Sequence, residues 1–78
     1  MEKVSKIRAF MIARDHGVDK MYDMEEFRMG LEVEQEHAKT IEAYKRAEIP
    51  VMEAVARTVC DHLAEDPHYY TKLARAGL

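Results

Sequence analysis

The stretch DMEEFRMGLEVEQEHAK, residues 23–39, predicts a long amphipathic helix with one buried face. Asp23 is a favourable N-cap, and Glu26 three residues later completes a capping-box pattern. The apolar residues that follow lie within about 40° of Phe27 at roughly 100° per residue, which is the spacing of one helical face. The residues of that face are Phe27, Leu31, Ala38 and Ile41.

Ionisable residues lie on and beside this apolar face. With Phe27 as reference, Glu34 falls at about −20°, in the middle of the face, and His37 at about −80°, on its edge. Glu32 and Glu36 point away from the face and are expected to be solvated. An unpaired carboxylate on a buried face is costly, so Glu34 needs a partner, a proton or access to water.

A second pair of ionisable residues lies on a later helix, predicted from about Pro50 to Glu65. Pro50 fits the first turn, where its missing N–H is tolerated. The apolar face of this helix comprises Val51, Met52, Val55, Val59 and Leu63. With Val55 as reference, His62 lies at about −20° and Glu65 at about −80°. The histidine therefore occupies the centre of this face and the glutamate its edge, the reverse of the earlier helix.

Unless these side chains lie at the surface by coincidence, Glu34, His37, His62 and Glu65 converge if the two helices pack side by side, and two interpretations follow. Two imidazoles and two carboxylates suit a divalent metal such as Zn, Fe or Mn. The alternative is a buried hydrogen-bond network that determines how the two helices pair. A di-iron site of the helical-bundle type is disfavoured, because it needs two Glu-x-x-His motifs and two further glutamates.

Two further helices are predicted at the ends of the chain. The first runs from about Lys3 to Asp15, and Gly17 provides a left-handed cap. Its apolar stripe is expected to contain Val4, Ile7, Phe10, Met11 and Arg14. A short closing helix is predicted with Asp66 as N-cap and Pro67 at its first position, and it ends at about Ala76. Its two tyrosines, at positions 69 and 70, are expected to dock on the core with their hydroxyls at the rim.

The chain thus reads as one all-α domain over residues 1–78, with four to five helices. Residues 40–49 are helical in composition and either continue the second helix or form a fifth. Cys60 is the only cysteine, so disulfides are excluded and a reducing, cytoplasmic location is predicted. No signal peptide is recognisable, and no apolar run approaches the roughly 20 residues that cross a bilayer.

Charge and composition narrow the function classes. The net charge is −3 with both signs mixed, which disfavours a dedicated nucleic-acid-binding or membrane-surface protein. The basic residues of the N-terminal third keep nucleic-acid binding as an alternative; they are Lys3, Lys6, Arg8, Arg14 and Lys20. The chain has 35% charged residues, no Asn and one Gln, a composition typical of thermophile proteins.

Two blocks of the chain resemble a family of small, uncharacterised prokaryotic and phage-associated domains of unknown function. Residues 23–37 match its Phe, Gly-Leu and Val-Glu-x-Glu-His positions, and residues 61–73 match His-Leu-x-Glu, x-Pro-x-Tyr-Tyr and a final Leu. Residues 38–57 depart from the family, because they look helical where its members often carry a polar loop. The resemblance supports the domain limits and implies no activity.

The leading hypothesis is a small cytosolic binding or accessory protein whose polar site, Glu34, His37, His62 and Glu65, holds a divalent metal. The main alternative is a homodimeric interaction module in which the same four residues serve only structure. A nucleic-acid-binding helical domain is the third. An enzyme is the least favoured class, because nothing in the sequence marks a substrate pocket.

Overall fold

A computed structural model describes residues 3–39 and 50–77 of the chain. These residues form four α-helices: α1 (Lys6–Asp15), α2 (Met24–Ala38), α3 (Val51–Glu65) and α4 (Tyr69–Arg75). The predicted all-α class is confirmed, and the described residues contain no strand. The prediction for residues 40–49, including Ile41 on the apolar face, lies outside the described residues.

Helix α2 is central, because it contacts each of the other three described helices. Its predicted apolar residues Phe27, Leu31 and Ala38 are buried. The face predicted for α3 is buried at Val55, Val59 and Leu63, whereas Val51 in its first turn is exposed. None of the described helices is long and apolar enough to cross a membrane.

The buried face of α1 differs from the predicted one. Ile7, Phe10 and Met11 are 75%, 44% and 59% exposed, whereas Ala9 and Ala13 are fully buried. Ala9 and Ala13, four residues apart, form a second stripe on the opposite side of the helix. Small side chains let two helix backbones approach closely, so α1 packs through its alanines and turns Ile7, Phe10 and Met11 outward, while Ile12 is partly buried against the core.

The two ends of α1 show how the chain enters and leaves this helix. Ser5 is the N-cap, and its hydroxyl accepts from the Arg8 backbone N–H at 3.1 Å, so α1 begins three residues later than predicted. Gly17 adopts a φ of 72°, as predicted for the left-handed cap. His16, the C-cap residue, places Nε2 3.2 Å from Glu53 Oε2 on α3.

The start of α4 also differs from the prediction. The helix begins at Tyr69, and the Asp66 side chain accepts from the His68 backbone N–H at 2.9 Å rather than capping a helix begun at Pro67. Asp66 still belongs to the end of α3, because its backbone N–H donates to the His62 carbonyl at 2.9 Å. A turn at residues 67–68 therefore separates the two helices.

Gly30 lies where α2, α3 and α4 meet. A Cβ atom at this position would lie 2.5 Å from Tyr70 Cε2 and 2.8 Å from Val59 Cγ1, well inside van der Waals contact. Because glycine has no side chain, it allows the other two helices to approach the backbone of α2.

Candidate functional site

The centre of the site is the Glu34 carboxylate, which is buried on α2 with 4% of the residue exposed. Its Oε2 atom accepts a hydrogen bond from the Tyr70 hydroxyl of α4 at 2.8 Å. A buried carboxylate needs such partners, because desolvation otherwise disfavours its charged form. This bond supplies the partner that Glu34 required on sequence grounds.

Two histidines also face the Glu34 carboxylate. His37 Nδ1 lies 3.2 Å from Oε1, one helical turn along α2. His62 Nε2 on α3 lies 3.5 Å from Oε2, an ion-pair distance when the imidazole is protonated. The structure thus brings together three of the four residues singled out in the sequence. The fourth, Glu65, is exposed at the end of α3 and joins none of these contacts.

Aromatic rings cover the His62 side of the site. The imidazole of His62 stacks on the Tyr69 ring, with centroids 4.4 Å apart and planes 1° from parallel. Tyr70 meets His62 and Tyr69 edge-on, at centroid distances of 6.2 Å and 4.9 Å. These contacts hold the imidazole plane beside the carboxylate.

The expectation that both tyrosine hydroxyls lie at the rim is wrong for Tyr70. Tyr70 is only 1% exposed, and its hydroxyl is directed into the interior toward Glu34. A buried tyrosine hydroxyl needs a hydrogen-bond partner, and a carboxylate on a buried face needs a donor. Those two needs were visible in the sequence, but their pairing depended on the packing of α4 against α2.

A second buried carboxylate, Glu26, holds the other end of the contact with α4. Glu26 is 4% exposed, and its Oε1 accepts from the Thr71 backbone N–H at 2.8 Å while Oε2 accepts from the Thr71 hydroxyl. Asp23 does cap α2, accepting from Glu25 and Glu26 backbone N–H groups at 2.8 Å and 3.1 Å. The reciprocal half of the predicted capping box is wrong, because the Glu26 side chain turns toward α4 instead.

Glu26, Gly30 and Glu34 are spaced four residues apart and therefore form one row along α2. All three meet α4, through Thr71, the Tyr70 ring and the Tyr70 hydroxyl respectively. In this row two buried carboxylates flank a glycine, whose missing side chain leaves room for the Tyr70 ring. We call the row the α4 seat, because α4 packs on the glycine and donates hydrogen bonds to both carboxylates.

The described residues 3–39 and 50–77 contain no group of three or more His, Cys, Asp and Glu side chains arranged to hold a metal ion. Within the same residues, every buried polar side-chain atom has a hydrogen-bond partner. As it stands, the site is therefore a satisfied hydrogen-bond network around Glu34. Such a network favours a defined packing of helices.

Residues 9–76 match a family described as "Protein of unknown function (DUF5661)". The chain belongs to this family. The predicted resemblance to a family of domains of unknown function is thereby confirmed, and its prokaryotic and phage origin stays a prediction. No curated protein and no solved structure is significantly similar to the chain.

One glutamate expected to be solvated in this family member has a structural role. Glu32 Oε2 accepts from the Val4 backbone N–H at 2.7 Å and from Arg28 Nη1 at 2.9 Å, and its side chain is 14% exposed. The expectation is wrong because the segment before α1 folds back over α2. Glu36 is exposed as expected and pairs with Lys39 at 3.3 Å.

Cys60 is not set up as a nucleophile. Partial burial, followed by the charges of Asp61 and Glu53, raises the pKa of its thiol above the ordinary value. A thiol with a raised pKa stays protonated at neutral pH, and the thiolate is the reactive form. Cys60 is therefore not activated for nucleophilic attack.

Proposed function

We propose that this protein is a protein–protein interaction module in which the Glu34 network serves structure and α1 presents the binding face. One observation carries the proposal: three large apolar side chains of α1 point outward. These residues, Ile7, Phe10 and Met11, are 75%, 44% and 59% exposed. We call them the α1 face.

The exposed position of the α1 face is unfavourable for the stability of a small domain. A chain of this size buries a modest fraction of its surface, so large apolar side chains are valuable inside the core. Here α1 contributes Ala9, Ala13 and, in part, Ile12 to the core, whereas the three side chains of the α1 face stay outside. Contiguous exposed apolar residues are typical of interaction surfaces.

The network around Glu34 supports the same proposal from the inside of the molecule. Tyr70, His37 and His62 surround the carboxylate. They join α2, α3 and α4 into one frame, and α1 packs on the outside of that frame against α2. A helix held this way presents its outer face at little entropic cost when a partner binds.

The experiment compares binding by the wild type, the variant Ile7→Gln/Met11→Gln and the control Val51→Gln. Val51 is an exposed apolar residue of α3, 48% exposed, and therefore controls for general surface hydrophobicity. Self-association is measured by sedimentation equilibrium, and heterologous binding by selection from a displayed library of helical peptides. We expect binding that the α1 variant loses and the Val51 variant keeps. A wild type that stays monomeric and selects no α1-dependent peptide would contradict the proposal.

A divalent metal, Zn, Fe or Mn, is a second candidate for the site, favoured by the two imidazole nitrogens that face one buried carboxylate. Its ligands would be Glu34, His37 and His62, because Glu65 lies apart, and their side chains would have to rearrange, since within the described residues they are not arranged to hold a metal ion. The test is elemental analysis of untagged protein beside the variant His62→Ala. Stoichiometric metal that the variant loses while keeping its helical circular dichroism would support this candidate. Substoichiometric metal, with a Tm indifferent to added Zn, Fe or Mn, would end it.

The nucleic-acid alternative rests on the exposed cations of α1, Lys6, Arg8 and Arg14. Binding through phosphate contacts weakens steeply as salt rises. Fluorescence anisotropy with a labelled duplex at low ionic strength tests it, and the absence of salt-sensitive binding removes this alternative. The homodimer and the cytoplasmic location stay predictions.

A further inference from the structure

We propose that α4 is a latch that opens on the turn at residues 66–68 while the other three described helices stay folded. Three successive residues of α4, at positions 70–72, support this proposal, because each donates a hydrogen bond to a different carboxylate outside the helix. Opening uncovers the α4 seat on α2 and turns its two buried carboxylates into surface charge.

The first two of these donors hold α4 on α2. The Tyr70 hydroxyl donates to Glu34 Oε2 at 2.8 Å, and the Thr71 backbone N–H donates to Glu26 Oε1 at 2.8 Å. The Thr71 hydroxyl donates to the other oxygen of Glu26. The surface that α4 covers is therefore partly polar, and its carboxylates bind water once the helix has left. This exchange of hydrogen bonds makes opening less costly than the exposure of an apolar surface of the same size.

The buried apolar contacts of α4 are few. Tyr70 is its one fully buried residue, and every other residue of the helix is partly or fully exposed. Tyr69 and Leu73 are packed against the core but remain partly exposed. A helix of seven residues is also unstable alone in water. Few buried apolar contacts are typical of segments that open locally, at a lower free energy than the rest of a domain.

The turn at residues 66–68 separates α4 from α3. Asp66 is extended, with φ −149° and ψ 107°, which is the conformation preferred before a proline. Pro67 has no backbone N–H and cannot continue α3 as a regular helix. Pro67 and His68 are both exposed, so that backbone rotation at these residues disturbs no buried side chain of the turn. For these reasons α4 can leave α2 without unravelling α3.

The third donor, Lys72, acts across this turn. Its Nζ lies 2.7 Å from Asp66 Oδ2, and both side chains are accessible to water. An accessible ion pair contributes little to stability, because water and salt screen it. The two carboxylates of the α4 seat, Glu26 and Glu34, are therefore the main polar contacts that keep the latch closed.

Hydrogen exchange of backbone amides in the full-length protein, measured by NMR at low urea concentrations, tests the latch. The Thr71 amide donates to the α4 seat and the Lys72 amide donates within the first turn of α4, so both report on opening of α4. The amides of Leu31 and Val59, at buried positions of α2 and α3, report on unfolding of the whole domain.

We expect the two α4 amides to exchange faster than those of Leu31 and Val59. Their exchange should also depend less on urea, because opening of α4 exposes less surface than global unfolding does. Equal rates and equal urea dependence at all four amides would overturn the proposal, since α4 would then open only when the whole domain unfolds.

A core variant separates the two kinds of opening. Val55→Ala leaves a cavity in the core, and that cavity destabilises the closed and the open forms alike. It should therefore speed exchange at Leu31 and leave exchange at Thr71 unchanged. Equal acceleration at Leu31 and Thr71 would also overturn the proposal.

A seat variant tests the role of the carboxylates. Glu26→Gln weakens the closed form alone, so exchange at Thr71 and Lys72 should become about tenfold faster or more. The matched control is Glu32→Gln, on the same helix, whose carboxylate accepts from the Val4 backbone N–H at 2.7 Å instead. It should leave exchange at the two α4 amides unchanged. Exchange in α4 that does not respond to Glu26→Gln, or that responds equally to Glu32→Gln, would contradict the latch.

Discussion

The Tyr70 hydroxyl donates to Glu34 Oε2 at 2.8 Å and so joins residues 36 positions apart in the chain. Tyr70 is 1% exposed and Glu34 is 4% exposed, so this hydrogen bond lies in the interior of the protein. Helix α4 has seven residues, too few to be stable alone in water. It is therefore held by its contacts with the rest of the molecule, namely the α4 seat and the stacking of Tyr69 on His62 of α3.

Tyr70→Phe is expected to lower the free energy of unfolding by about 1–3 kcal/mol, because it removes a hydrogen bond to a buried charged group. Urea denaturation followed by circular dichroism measures the change. Tyr69→Phe is the matched control, since its hydroxyl makes no hydrogen bond within residues 3–39 and 50–77. Equal effects of the two substitutions would show that the Glu34 contact does not stabilise the fold.

Thr71→Val is expected to destabilise the protein by about 1–3 kcal/mol, because it leaves one oxygen of buried Glu26 without its donor. Valine matches threonine in shape, so the loss reports the hydroxyl. Thr71→Ser keeps the hydroxyl and should cost much less. A serine variant as unstable as the valine variant would assign the effect to the methyl group instead.

Gly30→Ala is expected to destabilise the protein by about 1–3 kcal/mol through overpacking, although alanine gains about 1 kcal/mol of helix propensity over glycine. The added methyl would meet Tyr70 and Val59. The cost of Gly30→Ala should be smaller in a Val59→Ala background, because one of the two obstacles is then gone. Additive effects in this double-mutant cycle would place the strain elsewhere.

The ion pair of Asp66 and Lys72, with Oδ2 and Nζ 2.7 Å apart, makes an acid-sensitive contact beside the turn between α3 and α4. The hydrogen bond from Lys72, followed by that from the His68 backbone, lowers the pKa of Asp66 below its ordinary value. A carboxyl whose pKa is lower in the folded state stabilises the fold above its unfolded pKa. That contribution is lost as the pH falls through the folded pKa.

Lys72→Gln is therefore expected to raise the pKa of Asp66 and to move the start of acid unfolding to higher pH. An NMR titration of the Asp66 carboxyl carbon measures the first effect, and circular dichroism against pH the second. Lys20→Gln, at an exposed lysine outside this contact, is the control. An Asp66 titration that does not change in the Lys72 variant would remove this ion pair as the cause.

Much of the core could be predicted from residue spacing. The periods of α2 and α3 identified Phe27, Leu31, Val55 and Val59 as buried. The same reasoning failed for α1, where a stripe of large residues and a stripe of alanines compete. Periodicity locates the apolar faces of a helix, but it does not predict which of two competing faces packs against the neighbouring helix.

The residues of the site also divide into those that spacing predicted and those that it did not. Glu34 and His62 were placed on the centre lines of their helices by spacing alone, and the structure sets them 3.5 Å apart. Glu26 was assigned to a cap because the local capping-box pattern is complete without any other helix. Its actual partner, Thr71, lies 45 residues away and leaves no local trace in the sequence.

By itself, the sequence determined the all-α class, the caps at Asp23 and Gly17, and the inward direction of Glu34 and His62. These features follow from local backbone preferences and from the helical period, and both depend only on residues close together in the sequence. Only the tertiary structure decided that Tyr70 hydrogen-bonds to Glu34, that Glu26 hydrogen-bonds to α4, and that the α1 face points outward. Those outcomes depend on how closely whole helices approach one another, and a close approach is settled by the combined fit of distant side chains.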